Sequence, residues 1–243
     1  MNLSKFVLIS SLFIAAPLMA HEVEEEDAGP VSPWSGKVRL GYLGTSGNTE
    51  TTNMSGGFEV EYALEKWKHR LEGAGIKATE NKDSTAEAYS AGWKSEWTMT
   101  DVNFLFGRLD WRKDLFSGYE KQFSQTLGYG HRLIDNEKHS LNGELGVGAR
   151  QSDLAGGGST SETILTGGLY YKWTISENSD FTQDLLVEAG DENTYLESKT
   201  AISATLVGNL ALVASYTIKS NSDVPLGTEK TDTFTALSLE YAF

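Results

Sequence analysis

The sequence contains no cysteine among its 243 residues. A disulfide framework, on which many small exported domains depend, is therefore excluded. After residue 20, no apolar run is long enough to cross about 30 Å of hydrocarbon as a helix, which excludes a helical membrane protein. Proline and histidine are also scarce, with four of each. The fold must therefore gain its stability from apolar burial or from insertion into a bilayer.

Basic residues are outnumbered by acidic ones, 20 to 34, and the formal net charge is −14. This excess of negative charge argues against a nucleic-acid-binding protein. The mean hydropathy is −0.33, which is typical of a soluble chain. A membrane-spanning barrel remains compatible with this value, because its strands alternate lipid-facing and lumen-facing residues and so average to a polar value.

The N-terminal segment is predicted to be a secretory signal peptide over residues 1–20. It has Lys5 as a positive start, an apolar core over residues 6–16, and Ala20 as a small residue at its end. A transmembrane anchor is the alternative, but the apolar core is too short to span a bilayer. Residues 21–35 are predicted to form an acidic periplasmic tail, and residues 36–243 to form the folded domain.

Alternating hydrophobicity then runs to the end of the chain in about twelve segments. In the last segment, TDTFTALSLEYAF, the residues Leu239, Tyr241 and Phe243 alternate with Ser238 and Glu240. A period of two indicates strands with one apolar face. We predict an all-β fold, an antiparallel transmembrane up-and-down β-barrel of about twelve strands, with ten or fourteen as alternatives.

The connections between the segments alternate in length, which supports a membrane barrel. Short connections such as 65–66 and 208–209 alternate with longer polar ones such as 151–162 and 220–231. Outer-membrane barrels have short periplasmic turns and longer outer loops. A soluble sandwich or a lipocalin-like barrel would also alternate, but it would carry an exposed face rich in glycine, which weakens strands.

Charged residues of both signs occupy the polar positions of the segments in nearly equal number. In a membrane barrel these positions face the lumen, where a charge must be paired or hydrated. The predicted lumen-lining residues are Arg39, Glu59, Arg70, Lys94, Arg108, Asp110, Arg112, Glu144, Arg150, Lys172, Asp184 and Glu188. Aromatic residues lie near the ends of the segments, where the bilayer interfaces are expected. The predicted interface aromatics are Trp67, Trp97, Trp111, Trp173, Tyr241 and Phe243.

The first predicted hairpin, VRLGYLGTSGNTETTNMSGGFEVEY, carries Gly47, Asn48 and Thr49 in its turn. Together with the repeated Gly/aromatic strands and the LSLEYAF ending, it makes residues 36–243 resemble the YdiY-like family of salt-induced outer membrane proteins. The resemblance implies a β-barrel in the outer membrane of a Gram-negative bacterium. It implies no reaction, because the family brings no established activity, and the salt-induced label describes expression and not mechanism.

Two functions fit a charged lumen. The first is a narrow, porin-like solute or ion channel tied to salt or osmotic stress. The alternative is a non-conducting structural or surface-binding barrel that acts through its outer loops. The expected partners are outer-membrane lipid, the barrel assembly machinery through the C-terminal strand, and small solutes or ions. No nucleic acid is expected as a partner.

Catalysis is a distant third function. His69 and His131 fall on lipid-facing positions, and His139 is predicted to lie in a short turn. No histidine therefore reaches a serine in the lumen or at the outer rim, as a catalytic triad would require. No metal-ligand spacing or nucleotide-binding motif occurs, so no cofactor and no metal is predicted.

Overall fold

The computed structural model describes residues 32–45, 51–81, 83–114 and 118–243. Its strands are β1 (Trp34–Thr45), β2 (Thr51–Ala63), β3 (Trp67–Glu80), β4 (Asp83–Thr98), β5 (Asn103–Asp114), β6 (Tyr119–Asp135), β7 (His139–Leu154), β8 (Ser159–Ser176), β9 (Ser179–Gly190), β10 (Thr194–Val207), β11 (Leu210–Asn221) and β12 (Thr231–Ala242). Within the described ranges, no helix is long and apolar enough to cross a membrane. The predicted signal peptide and the turn at Gly47, Asn48 and Thr49 lie outside the described residues, as does most of the predicted tail.

The twelve strands form one closed antiparallel barrel in which each strand pairs with its neighbours in the sequence. β1 and β12 complete the ring. Their ladder is extended by the terminal residue, because Gly36 and Phe243 exchange two backbone hydrogen bonds of 2.9 Å. The predicted fold class and strand count are confirmed. β1 begins slightly earlier than predicted, at Trp34, which lies within the segment 21–35 predicted to be a tail.

Apolar side chains cover the outward face of the barrel. Trp67 pairs directly with Trp97 at the proximal end, where β1 begins and β12 ends. On β4, Trp97 and Tyr89 are both exposed on this face. They are separated by about 27 Å along the strand, or roughly 20 Å once a tilt of about 40° is included. This height is close to the apolar band of about 25 Å that a bilayer requires.

All six predicted interface aromatics are exposed. Beyond the apolar band the outward face becomes charged. Near the distal end, opposite the proximal one, Lys77 Nζ lies 3.5 Å from Glu87 Oε2, and Lys121 Nζ lies 2.9 Å from Asp153 Oδ2. Ion pairs of this kind are tolerated in water and not in hydrocarbon, so the strands extend past the membrane at their distal ends.

The distal connections are shorter than the sequence analysis predicted. Residues 151–162 were expected to form a long loop, but β7 continues to Leu154 and β8 begins at Ser159. These residues lack an apolar face, which is why the sequence predicted a loop. Backbone pairing nevertheless continues beyond the apolar band, because a strand in water does not need an apolar face. Among the described connections, only 222–230 is a long distal loop.

A charge on the outward face should be costly. Leu145 is 73% exposed and lies near the middle of the apolar band. We expect Leu145→Arg to lower the free energy of unfolding in lipid by about 2–4 kcal/mol. Leu226→Arg, in the exposed distal loop, is the control and should change it by less than about 0.5 kcal/mol. Urea titration followed by tryptophan fluorescence measures both variants, and equal losses would contradict a lipid-facing Leu145.

Candidate functional site

The barrel lumen is the candidate site, because the inward face carries the charged side chains. The twelve residues predicted to line the lumen all share the inward face in the register of the strands. Seven of them line a cavity of about 330 Å³ inside the barrel: Arg70, Lys94, Arg108, Asp110, Arg112, Glu144 and Asp184. The other five are Arg39, Glu59, Arg150, Lys172 and Glu188, which lie on the inward face around it.

The cavity lining is charged but balanced. Its basic residues are Lys68, Arg70, Lys94, Arg108, Arg112, Arg132 and Lys199, and its acidic residues are Glu72, Glu96, Asp110, Asp135, Glu144, Asp184 and Glu197. Seven charges of each sign leave no net charge. The net negative charge of the chain must therefore lie elsewhere, and the cavity has no overall preference for anions or for cations.

A proximal network of side chains joins strands on different sides of the lumen. Glu144 is almost fully buried and bonds both Lys94 and Arg108, with 2.9 Å between Arg108 Nη2 and Glu144 Oε2. Arg108 Nη2 also donates to Tyr170 Oη at 2.7 Å. These contacts connect β4, β5, β7 and β8. Because each charge has a partner, the network crosslinks the barrel instead of leaving free charges in the lumen.

Two phenylalanines pack inward beside this network, which the sequence analysis did not predict. Phe104 and Phe106 are buried on β5, and Lys94 Nζ lies 5.6 Å and 5.2 Å from their ring centroids. The rings cover Gly130 and Gly128 on β6, where a Cβ atom would collide with them. The paired glycines are the sequence signal that accounts for inward aromatic rings on the neighbouring strand.

A distal network is more completely buried. The side chain of Arg150 is 0% exposed, with Nη2 2.7 Å from Glu162 Oε1 and Nη1 3.3 Å from Glu188 Oε2. Glu188 also bonds Arg112 on β5. The guanidinium of Arg112 lies 4.2 Å from the ring centroid of Tyr195 on β10. The network therefore runs from β5 to β10 across the distal half of the lumen.

The distal loop 222–230 crosses the mouth of the barrel above this network. Tyr119 Oη, on β6, donates to the carbonyl of Asp223 at 3.0 Å. β6 and β11 are five strands apart around a ring of twelve, so this bond joins nearly opposite walls. Gly118, with φ +83°, lies against Pro225, where a Cβ atom would clash. The loop therefore narrows the distal opening.

Asn193, in the turn between β9 and β10, ties the loop to the distal network. Its side-chain Nδ2 donates to Asn221 Oδ1 at 2.8 Å, and its Oδ1 accepts from the Asp223 backbone N–H at 3.2 Å. Its backbone carbonyl accepts a hydrogen bond from Arg150. A single buried residue therefore couples the loop position to the buried arginine.

A more open wall lies on the other side of the lumen, around β1. Arg39 pairs with Glu240, and Lys37 Nζ lies 3.3 Å from Glu59 Oε1. The Arg39 side chain is 43% exposed, against 12% for Lys94 in the proximal network. Small inward residues continue this wall: Gly41, Ser55, Gly57 and Ser238. Arg39 of this wall is therefore exposed to solvent, whereas the charged pairs of the two networks are buried.

Several inward residues were absent from the predicted lumen set. Glu162, Tyr195, Glu197 and Lys199 all face inward, and Lys199 Nζ lies 2.8 Å from Glu197 Oε1. On β10 the signal was present but weak, because Ser198 on the outward face interrupts the apolar alternation. Glu162 falls in a stretch predicted to be loop, where no face was assigned.

The histidines in the described ranges are His69, His131 and His139, and all three lie on the outward face. The His69 ring stacks on Trp67 with 5.8 Å between centroids. His131 Nδ1 lies 2.7 Å from Asn103 Oδ1. His139 was predicted to lie in a short turn, but it is the first residue of β7. None of the three faces the lumen.

Comparison with known proteins agrees with this architecture. The model of the family described as "Protein of unknown function, DUF481" matches residues 38–243. The chain belongs to this family. A relative, "Uncharacterized protein YdiY" of Escherichia coli (strain K12), is 29% identical over 236 residues, covering 97% of this chain and 93% of the relative. The predicted resemblance to YdiY-like proteins is confirmed.

Solved structures share the barrel fold of this DUF481 member at low identity. The COG4313 outer membrane channel from Pseudomonas putida F1 gives a TM-score of 0.51 at 10% identity, covering 91% of this chain and all of that one. The NanC porin gives a TM-score of 0.49 at 10% identity, covering 85% of this chain and 97% of the NanC chain. At 10% identity the likeness to the COG4313 channel establishes the fold alone, which is a closed antiparallel β-barrel.

Loss of the buried arginine should destabilise the barrel strongly. Arg150→Met leaves Glu162 and Glu188 buried with fewer partners, and we expect the free energy of unfolding to fall by roughly 3–5 kcal/mol. Arg39→Met removes a solvated pair and is the matched control, with an expected loss below about 1 kcal/mol. Urea unfolding in lipid vesicles measures both, and a loss for Arg150→Met as small as that of the control would refute the structural role.

Proposed function

We propose that this protein is a narrow channel in the outer membrane that passes ions or small polar solutes. The observation that carries the proposal is the cavity of about 330 Å³, which is lined mainly by charged and polar side chains. A barrel that served only as a scaffold could fill its lumen with apolar side chains. A hydrated, charged interior is what conduction requires.

The proposed route runs through this cavity and past the solvated wall around β1, which closes the ring beside it. Charged pairs there, such as Arg39 with Glu240, keep contact with solvent. The small inward residues Gly41, Ser55 and Gly57 lie beside them, so no long side chain extends from these positions into the lumen. The proximal and distal networks restrict the rest of the cross-section. The proposed channel is therefore narrower than the ring of strands and follows one side of it.

A closed barrel is the second candidate function, and the distal loop favours it. The bond between Tyr119 and Asp223 and the anchoring by Asn193 hold the loop across the mouth. In this case the barrel would act as a structural or surface-binding protein through its distal loops. We further propose that the proximal end faces the periplasm and that the C-terminal strand is recognised by the barrel assembly machinery.

Planar-bilayer recording of the refolded mature protein tests the channel. We expect discrete current steps of small amplitude, because the loop and the distal network narrow the lumen. A variant with residues 224–228 replaced by two glycines should give larger steps. A silent bilayer for both proteins, with insertion verified by heat-modifiable mobility on a gel, would reject the channel and favour the closed barrel.

Charge removal on the solvated wall should change ion selectivity. Arg39→Gln leaves Glu240 without its partner, so we expect the reversal potential in a salt gradient to shift toward cation preference. Lys121→Gln removes the same charge from the outward face, where Lys121 pairs with Asp153, and is the control. An equal shift in the two variants would place the conduction path away from Arg39.

The link to salt or osmotic stress is part of this proposal and follows from the family resemblance alone. A strain lacking the gene should grow more slowly than its parent after a rise in salt concentration, and equally well at low salt. Restoring the gene should restore growth. Equal growth of both strains at high salt would remove this part of the proposal.

A further inference from the structure

Three buried polar side-chain atoms have no hydrogen-bond partner within the described ranges. They are Asp110 Oδ2, Arg112 Nη1 and Asn142 Oδ1. All three residues line the same lumen cavity. A buried polar atom without a partner costs stability unless water or a ligand supplies the missing bond. Asp110 and Arg112 lie two residues apart on β5 and supply an anionic acceptor and a cationic donor to one polar site. Asn142 is a separate position, because it lies eight residues toward the proximal end from Arg150, the β7 residue that is level with Asp110.

Asp110 and Arg112 are successive inward residues of β5, with about 7 Å between their Cα atoms. Their partners on β4 are Gly92 and Ser90. These two small residues line the cavity together with the carboxylate and the guanidinium. Opposite charges with adjacent free volume can bind the two ends of one small molecule.

A second carboxylate adjoins the acidic end of this site. A Cβ atom added at Gly92 would lie 3.1 Å from Glu72 Oε1 and 3.2 Å from Asp110 Oδ1. Glu72 and Asp110 therefore approach the same point from opposite sides of the glycine. An ammonium group carries three donors, so it can bond both carboxylates at once.

The basic end is held rigidly. Arg112 Nη2 donates to Glu188 and lies 3.4 Å from Ser124 Oγ, and the guanidinium stacks on Tyr195. These contacts leave Nη1 as the donor without a partner. A guanidinium fixed in this way loses little side-chain entropy when it bonds a carboxylate, which is the anion that its geometry suits.

We propose that the cavity binds a small zwitterion with a primary ammonium group and a carboxylate, of the α-amino acid type. The ammonium group lies between Asp110 and Glu72, and the carboxylate bonds Arg112 Nη1. Asn142 lies too far toward the proximal end to contact the same molecule, and its Oδ1 is left to water. The balance of seven basic and seven acidic lining residues disfavours a simple anion or cation at the same place. As the class of permeating solute, this assignment rests on the proposed channel.

Four molecules of nearly equal size test the assignment: alanine, lactate, alaninamide and lactamide. Lactate lacks the ammonium group, alaninamide lacks the carboxylate, and lactamide lacks both. Saturation-transfer NMR on the refolded mature protein should detect alanine and give a weaker signal for the other three. Equal signals for all four, or none for alanine, would overturn the proposal, since water alone would then satisfy the three atoms.

Removal of one charge should identify the site. Asp110→Asn keeps the side-chain shape, and we expect alanine affinity to fall about tenfold, as for loss of a charge-assisted hydrogen bond. Asp153→Asn, on the outward face, is the control and should leave affinity unchanged. Glu72→Gln provides a second variant if Asp110→Asn does not fold. Unchanged alanine affinity in a folded Asp110→Asn or Glu72→Gln protein would refute the site.

The zwitterion site and the channel are tested by different measurements, so one can be rejected without the other. Alanine binding with a silent bilayer would reject the channel and keep the zwitterion site within a closed barrel. Ion conduction without selective alanine binding would keep the channel and reject the zwitterion. In vesicles that conduct, alanine should enter faster than lactate or alaninamide, and this order should disappear in the Asp110→Asn variant. Equal entry rates for the three solutes would reject alanine-type solutes as the permeating class.

Discussion

A free sheet edge is not tolerated in a bilayer, because hydrocarbon offers no partner to an exposed N–H or C=O group. In this protein β1 and β12 meet to close the ladder, and the terminal residue Phe243 takes part through Gly36. Closure then fixes the direction of every side chain, since neighbours along a strand alternate between the two faces. Apolar residues meet lipid, and charged residues are directed into a confined lumen.

The confined space of the lumen explains why so many of its charged side chains form ion pairs. A charge inside the barrel must be hydrated or bonded, and the two requirements are met on different sides. Between β4 and β10, ion pairs such as Arg112 with Glu188 reach across the lumen and are buried. Around β1, pairs such as Arg39 with Glu240 join adjacent strands and stay wet. Ion pairs of the same residue types therefore crosslink the barrel on one side and form a solvated wall on the other.

Much of the fold could be predicted from the sequence because a period of two is robust to small errors in strand boundaries. The closing segment from Leu237 to Phe243 and the inward position of Arg108 follow from alternation alone. Pairing across the lumen could not be predicted, because it depends on the stagger of all the strands between the two partners. The inward Phe104 was missed because its position depends on Gly130 of the next strand. The position of loop 222–230 across the mouth was also missed, because its contact with Tyr119 depends on the stagger of all the strands between β6 and β11.

The ladders of the barrel are unequal in length. β1 pairs with β2 along its full extent, Trp34–Thr45, but it pairs with β12 only through residues 37–41 and the bonds from Gly36 to Phe243. A short seam has fewer bonds to break than any full ladder. Mechanical or thermal unzipping of the wall should therefore start between the first and last strands. We expect separation to begin at the distal end of that seam, beyond Gly41 and Ser238. The remaining eleven ladders would then form one open, continuous sheet.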